Sequence, residues 1–599
     1  MTPELIVLQL LSGLAHAMVL FLIASGLSLI FGVTRVVNFA HGSFYMLAAY
    51  MTYSLAMGLP LGAASFYVAV VLASLATGLV GLVVEVLLLR RVYRAPELYQ
   101  LLLTFALVLV IADVVAFVWG RENKTGPPAP GLDRSVPILG QLFPSYDLAL
   151  IVVGPAVALA LWWLFHRTRW GVLIRAASLD REMVAVLGID QRRLFTSVFV
   201  LGSTLAGLGG ALQVPRQALT NVMDTTIITE AFVVVVIGGM GSLPGALLAA
   251  IVIGVVDAFG VLWLPQASLV MTFAVMAVVL IVRPWGLLGR PEAQARSAGG
   301  AVGGERPLAL RAPALLALAL LLVVPPWLPG FWVLVLVEAL VWALFAASLH
   351  LLMGTGGMVS FGHAVTLGLG AYGAALLVQR AHAPALVAFV AAPVVAALGA
   401  ALIGFFCVRL SSIYFAMLTL AFCQIAYAIV HQWYGVTGGD NGLLGVWPPR
   451  WLAAPVRFYY LALLACAGGV TLLALIGRAP FGLTLRAIRD HARRAEASGV
   501  DVRGHQWLAF VVAGFFGGLA GAAFVFLKGS VFPNALTIGT SVQPLVMVLL
   551  GGVGSLAGAP IGAAVYTLLD TIVSTYTEYW QLVLGAILIV LVLAFPRGL

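Results

Sequence analysis

The chain has 599 residues, of which 62% are hydrophobic and 9% charged, more apolar surface than a soluble core of this length can hide, so its solvent is lipid. Its net charge of +9 sits in short loops between apolar runs, where the positive-inside rule places Lys and Arg; it reports orientation and gives no reason to expect nucleic acid. Runs such as Ala383–Val408, filled with Leu, Ala, Val and Gly, exceed the ~20 residues a helix needs to cross a bilayer, whereas barrel strands alternate over about ten. The expected fold class is therefore an all-α polytopic membrane protein.

In chain order, the first apolar stretch begins near Leu5 with no basic region ahead of it, which predicts a retained helix, not a cleaved signal. Helices are predicted near 5–32, 36–57, 61–90, 99–120, 146–166, 194–213, 226–241, 243–260 and 265–283, nine crossings that start outside. Arginines at Arg90, Arg91 and Arg94, from Arg167 to Arg193, from Arg283 to Arg311, from Arg478 to Arg503, and at Arg597 place those loops in the cytoplasm. Gly238–Gly241 reads as a cytoplasmic turn between two shorter helices. Gly289–Arg311, rich in Gly, Ala, Ser and Pro without apolar periodicity, reads as a flexible linker. This divides the chain into residues 1–288, a cytoplasmic linker at 289–312, and residues 313–599. The second half resumes the series near Trp332, and Ala314–Pro329 supplies the extra span that keeps parity; 16 to 19 transmembrane helices are expected in all. Cys407, Cys423 and Cys466 fall inside apolar runs and read as packed thiols, not a disulfide or metal site.

The chain repeats itself. Ala24–Tyr50 lies on Ala346–Tyr372 without a gap, so that Gly32, Phe39, His41 and Tyr50 meet Gly354, Phe361, His363 and Tyr372. Arg94, Thr104 and Gly120 meet Arg409, Thr419 and Gly435; Gly171, Arg175, Gly188 and Asp190 meet Gly482, Arg486, Gly499 and Asp501. GGMGSLPGA (Gly238–Ala246) meets GGVGSLAGA (Gly551–Ala559), Asp257 meets Asp570, and each half ends in Pro-x-Gly-Leu. Blocks that keep their order and sidedness predict a parallel repeat, two halves related by a pseudo-two-fold axis along the membrane normal.

These blocks resemble the permeases of the branched-chain amino acid ABC transporter family. VNFAHG, RAASLDREMVAVLGID and GGMGSLPGA in residues 36–246 look LivH-like; GGMVSFGHA, RLSSIYFAMLTLAF, TGGDNGL and RAIRDHARRAEASGVD in residues 356–502 look LivM-like. The second half departs from the family's Ala-rich coupling segment at Arg493, Arg494 and Glu496. The resemblance implies translocation of branched-chain or related amino acids across a bacterial inner membrane, with two cytoplasmic ATP-binding subunits and a periplasmic or lipid-anchored substrate-binding protein. Permeases for urea, short amides or aromatic acids are the alternatives within the family. A P-loop needs a Lys preceded by Gly and followed by Ser or Thr, and neither lysine qualifies: Lys124 sits in ENKTG and Lys528 in FLKGS. ATP and Mg are thus expected on partner subunits, with no cofactor, metal or catalytic residue in this chain.

Several residues then invite a role. His41 and His363, at matched helix starts, suit a proton relay or a neutral imidazole bonded to a carbonyl, and the second reading is preferred because no carboxylate accompanies them locally. Asn38 and Ser360, just ahead, are expected to cap free N–H groups. Gly239, Gly241, Gly552 and Gly554 allow close helix approach or a hinge. Asp257 and Asp570 are matched carboxylates inside spans, costly unless paired or wet, and are assigned to an outer vestibule, a binding-protein contact or interfacial water. Asp113 and Glu338, acids without matched partners, keep an ion-coupled secondary transporter open as a rival.

Thr168–Asp190 and Ala479–Asp501 complete the set as candidate ATPase-coupling segments. Each is expected to form one short helix, starting after Gly171 or Gly482 and ending at Gly188 or Gly499 in the left-handed conformation. Leu179, Met183, Val186 and Leu187 recur at helical spacing beside Arg175, Asp180 and Glu182, a mixed face suited to a protein groove, with Arg486 and Asp490 in the second copy. The alternative is a helix lying on the membrane surface.

Overall fold

The computed structural model describes residues 3–93, 95, 97–289, 318–410 and 412–594. Helices follow the apolar runs because a backbone in lipid must satisfy its own N–H and C=O groups. Among the described residues, twelve helices are long and apolar enough to cross a membrane by length and composition, and Ala364–Gln379, Ile538–Gly551 and Trp580–Ala594 are shorter apolar helices. The linker at 289–312 lies outside the described residues but for Gly289. Of the extra span Ala314–Pro329, residues 318–323 are helical and lead into a short 3-10 turn, Pro325–Trp327.

Packing groups the chain into two compact units, Met1–Pro291 with Thr577–Pro596, and Glu292–Tyr576 with Arg597–Leu599. In the first, α1 (Pro3–Thr34), α2 (Ala40–Gly58), α3 (Ser65–Val84), α4 (Glu97–Trp119) and α5 (Ser145–Arg167) are followed by two short helices, α6 (Arg169–Leu179) and α7 (Arg181–Val186). Then come α8 (Gln191–Gln213), α9 (Met223–Gly238), α10 (Leu243–Trp263) and α11 (Ser268–Val282). Each of the nine predicted segments is a helix, but α2 and α9 are not among the twelve long and apolar enough to cross. Seven of the nine thus meet that measure, and among the described residues twelve helices do so against the 16 to 19 expected. The late helix Trp580–Ala594 also belongs to this unit: it packs along α4, where Gly585 approaches the Ala106 carbonyl and Asp113 Oδ2 accepts the Leu582 N–H at 2.8 Å. Asp113 thereby satisfies one of the orphan donors at a helix N-terminus.

The second unit comprises α12 (Gly330–His350), α13 (Ala364–Gln379), α14 (Ala385–Cys407), α15 (Ser412–Gln432), α16 (Pro455–Arg478), α17 (Pro480–Ala497), α18 (Val502–Lys528), α19 (Ile538–Gly551) and α20 (Gly558–Tyr576). Each unit has a small antiparallel pair: β1 (Ser135–Ile138) with β2 (Gln141–Pro144), and β3 (Leu443–Leu444) with β4 (Ser530–Val531). The second pair ties the TGGDNGL loop to the end of α18.

Small residues set the helix spacing, as expected where lipid gives helices no hydrophobic reason to associate. Gly210 of α8 abuts the Tyr45 carbonyl of α2, and Gly521 of α18 abuts the Leu367 carbonyl of α13; a Cβ at either glycine would overlap backbone. These are the same two positions in each repeat, so the internal similarity of the sequence extends to its packing. The three cysteines are free and buried.

Candidate functional site

The matched segments Thr168–Asp190 and Ala479–Asp501 differ from expectation in one respect and share the difference. In place of one helix, the first copy forms α6 and α7, broken at Asp180, whose backbone is extended (φ −146°, ψ 102°) while its Oδ1 accepts the Met183 N–H at 3.0 Å. An aspartate that caps locally competes with the continuing helix, and here it wins. In the second copy His491 is extended at the equivalent place (φ −154°, ψ 85°), kinking α17. Gly171 and Gly482 do not start these helices. Thr168 caps α6, its Oγ1 accepting the Gly171 N–H at 3.1 Å, and α17 opens with Pro480 in its first turn, a position where a missing N–H costs nothing. The two glycines lie one turn in, against the carbonyls of Phe165 and Gly477.

Arg175 donates to the Phe165 carbonyl and Arg486 Nη2 to the Gly477 carbonyl at 2.6 Å. Each arginine thus braces the C-terminal end of the preceding span, where a cation also meets the negative end of the helix dipole. Gly188 (φ +78°) and Gly499 (φ +87°) are left-handed, as their spacing requires. Asp190 Oδ1 then caps α8 through Arg192 N–H at 3.0 Å, and Asp501 Oδ1 caps α18 through Gly504 N–H at 3.0 Å. At the tip of the first copy Leu179, Met183, Val186 and Leu187 are 77, 57, 82 and 70% exposed. Asp490 is exposed and takes a bond from Arg489 Nε at 3.0 Å. The side chain of Glu182 lies outside the described residues.

The helix starts at residues 38–41 and 360–363 are buried. His41 Nε2 bonds the Ile23 carbonyl at 3.0 Å; His363 Nε2 bonds Ser348 Oγ at 2.8 Å and stacks on Phe345. Asn38 Oδ1 accepts the Ala40 N–H at 3.1 Å, a cap as expected. Ser360 does not do the same: its hydroxyl makes no hydrogen bond among the described residues, and Ser541 Oγ takes the Ala364 N–H at 3.0 Å. Thr104 Oγ1 and Thr419 Oγ1 accept the Phe39 and Phe361 N–H groups at 3.4 and 3.2 Å. Their matching in the repeat was the signal for that role. Gly239 (φ +96°) and Gly552 (φ +94°) end α9 and α19 in equivalent turns that also contain Gly241 and Gly554. In the first unit the segment after Pro284 folds back on this turn, Leu287 and Leu288 donating to the Ile237 and Gly238 carbonyls at 2.7 and 3.1 Å.

Asp257 and Asp570 each belong to a polar cluster. In the first unit His16 Nε2 of α1 lies 3.9 Å from Glu230 Oε2 of α9 and 3.8 Å from Asp257 Oδ2 of α10, and Thr272 of α11 donates to Asp257. About 30% of each of the three charged side chains is accessible. In the second unit Lys528 Nζ, closing α18, sits 2.9 Å from Glu338 of α12, with Asp570 of α20 within electrostatic reach of both. Because α18 starts next to the Ala479–Asp501 segment and has 27 residues, a rise of about 1.5 Å each sets this cluster roughly 40 Å from it. The acids without sequence partners, Asp113 and Glu338, are both internally compensated. Sequence reasoning missed the bases His16 and Lys528, which lie far from the acids in the chain.

Two matched helical units with arms at equivalent positions define a polytopic membrane protein built by duplication. The family model described as the branched-chain amino acid transport system permease component matches residues 9–282 and again 331–592, and the chain belongs to that family. It is 28% identical over 296 residues to the high-affinity branched-chain amino acid transport permease BraD of Pseudomonas aeruginosa, covering 48% of this chain and 96% of that protein. LivH of Escherichia coli K12 is 27% identical over 303 residues (48% of this chain, 96% of LivH), and LivM of the same organism 24% over 290 residues (43% and 68%). The chain is thus a multi-pass inner-membrane permease.

Proposed function

We propose that this chain supplies both permease halves of an ATP-binding-cassette importer for branched-chain amino acids. On this reading two cytoplasmic ATP-binding subunits dock on the segments Arg169–Val186 and Pro480–Ala497, a substrate-binding protein delivers the amino acid from outside, and ATP and Mg act on the partners. The observation that carries it is the duplicated arm: a brace, a break and a left-handed glycine recur at the same three positions in both halves, while the tip of the first leaves four large apolar side chains uncovered by the rest of the chain. Such a face gains free energy only when something covers it. Asp113 meets a helix N-terminus and Glu338 meets Lys528, so neither of these two acids by itself supports an ion-coupled carrier.

The test is uptake by vesicles holding the chain, its ATPases and its binding protein, with labelled leucine, urea and an aromatic acid in parallel. ATP-dependent leucine uptake, with no ATPase activity from the purified chain alone, is the expected result. Uptake confined to urea or the aromatic acid moves the substrate within the family, and uptake without ATP overturns the importer.

A further inference from the structure

The two polar clusters occupy equivalent places in the repeat, yet their charges have changed seats. Extending the register of the matched blocks, His16 falls on Glu338, Glu230 on Gln543, Asp257 on Asp570, and Gln217, four residues past the end of α8, on Lys528. Three of the four positions differ in charge, and still each cluster ends with two carboxylates and one base. The difference lies in where the base comes from. In the second unit it is a primary ammonium placed directly on a carboxylate, Lys528 Nζ at 2.9 Å from Glu338. In the first unit the position of that lysine holds Gln217, whose amide lies 3.5 Å from the Tyr45 hydroxyl, and the base is the imidazole of His16, 3.8–3.9 Å from the carboxylates and outside hydrogen-bond range. Among the described residues no side chain donates a hydrogen bond to Glu230, and the nearby Arg216 is committed to Asp147 at 2.9 Å. Glu230 and Asp257 lie within electrostatic reach of one another, so a cation between them favours the state in which both carry charge, and the more so in a low dielectric.

We propose that the His16–Glu230–Asp257 cluster is a binding site for a primary ammonium group, the group that the second unit supplies to itself as Lys528. Resting on the amino-acid reading above, the ligand is the α-ammonium of the transported amino acid; an ethanolamine lipid headgroup offers the same chemistry. Three donors of a primary ammonium match a carboxylate from α9 and another from α10, with the hydroxyl of Tyr45 and the amide of Gln217 nearby. Since the site draws on α1, α9 and α10, occupancy ties together helices that the Gly239 turn joins.

The experiment measures the thermal unfolding midpoint of the full chain in nanodiscs of phosphatidylcholine and phosphatidylglycerol. Methylammonium chloride is titrated against sodium chloride at matched ionic strength. A concentration-dependent rise with methylammonium beyond that with sodium is expected, lost in Glu230→Gln and in Asp257→Asn. Gln217→Lys, which tethers an ammonium in place, is also expected to abolish it without removing an acid, so the test survives a carboxylate variant that fails to fold. Lys528→Gln, which vacates the second cluster, is expected to enlarge the response. L-leucine is compared with isocaproate, which lacks only the amino group, and separate discs carry phosphatidylethanolamine. A shift with leucine but not isocaproate assigns the site to substrate, and a shift only with phosphatidylethanolamine assigns it to lipid. A methylammonium response without a leucine response keeps the ammonium site and counts against the amino-acid reading. No methylammonium response, or one unchanged by the variants in the first cluster, overturns the proposal.

Discussion

In the first half the duplicated arm ends on Leu179, Met183, Val186 and Leu187, all more than half exposed; the equivalent positions of the second half are Asp490, Arg494, Ala497 and Ser498. The backbone beneath them is the same. Both arms are braced by an arginine on a carbonyl, broken at one extended residue, turned by a left-handed glycine and followed by an aspartate cap. Duplication has held the joints and released the surface, so on the proposed reading the joints carry what both halves must do, and the tips carry what distinguishes their partners.

The largest expected effect comes from breaking a joint that is partly buried. Arg175→Glu and Arg486→Glu each remove a charged donor from a helix-end carbonyl and put an anion beside it, a loss of about 1.5–3 kcal/mol for the bond alone. ATP-driven uptake is expected to fall by roughly tenfold or more in either variant, about 1.4 kcal/mol per decade, while size-exclusion elution stays monodisperse. Near-normal uptake by either variant would separate the two arms mechanically. Next come Gly188→Val and Gly499→Val, where a β-branched side chain must adopt positive φ at a cost of about 1–3 kcal/mol. Since no neighbour stands within reach of an added Cβ at either glycine, the strain is purely local. Uptake is expected to drop several-fold with ATP hydrolysis retained, equally in both halves; unequal losses would show that the shared backbone is not used in the same way.

Much of this was legible beforehand, and for definite reasons. The nine helices of the first half follow from apolar run length, and the glycine turns and aspartate caps follow from residue types whose backbone preferences are strong. What escaped depends on pairs distant in sequence. Asp113 read as a stray acid because its partner, the Leu582 N–H, is 469 residues away. The break at His491 has no sequence signal of its own, since histidine is an ordinary helix residue, and only its alignment with Asp180 exposes it. Asp257 and Asp570 were found by their match, but His16, Glu230 and Lys528 were not, because the match replaces base by acid and amide by base.

The tips themselves provide a gentler contrast. Met183→Ser and Val186→Ser remove exposed apolar surface and are expected to leave stability within about 0.5 kcal/mol while weakening docking of an ATPase subunit, with little dependence on salt. Arg494→Ser in the other arm is expected to weaken docking chiefly at low ionic strength, since exposed charges are screened over about 10 Å at 0.1 M. Pull-down of ATPase subunits across a salt series reads both. A cysteine at position 183 is expected to crosslink to protein; crosslinks to lipid alone would return this arm to the membrane surface.

The smallest effect is expected where both halves use the same residue in the same exposed setting. Asp190 accepts N–H bonds from Arg192 and Arg193 at 3.0 and 3.4 Å and pairs with the Arg193 side chain at 3.2 Å; Asp501 accepts the Gly504 N–H at 3.0 Å and, through its carbonyl, His505. Loss of a cap costs about 1 kcal/mol, and the exposed ion pair on Asp190 adds at most a few tenths. Asp190→Ala and Asp501→Ala are therefore expected to lower the unfolding midpoint by similar small amounts, with uptake within about twofold of normal, because the long spans α8 and α18 are held by packing along their whole length and only their first turns fray. Asparagine, which accepts the same backbone bonds without the charge, is expected to restore both. If it restores Asp501 but not Asp190, the charge on Arg193 matters and the arms differ at their joints as well as at their tips.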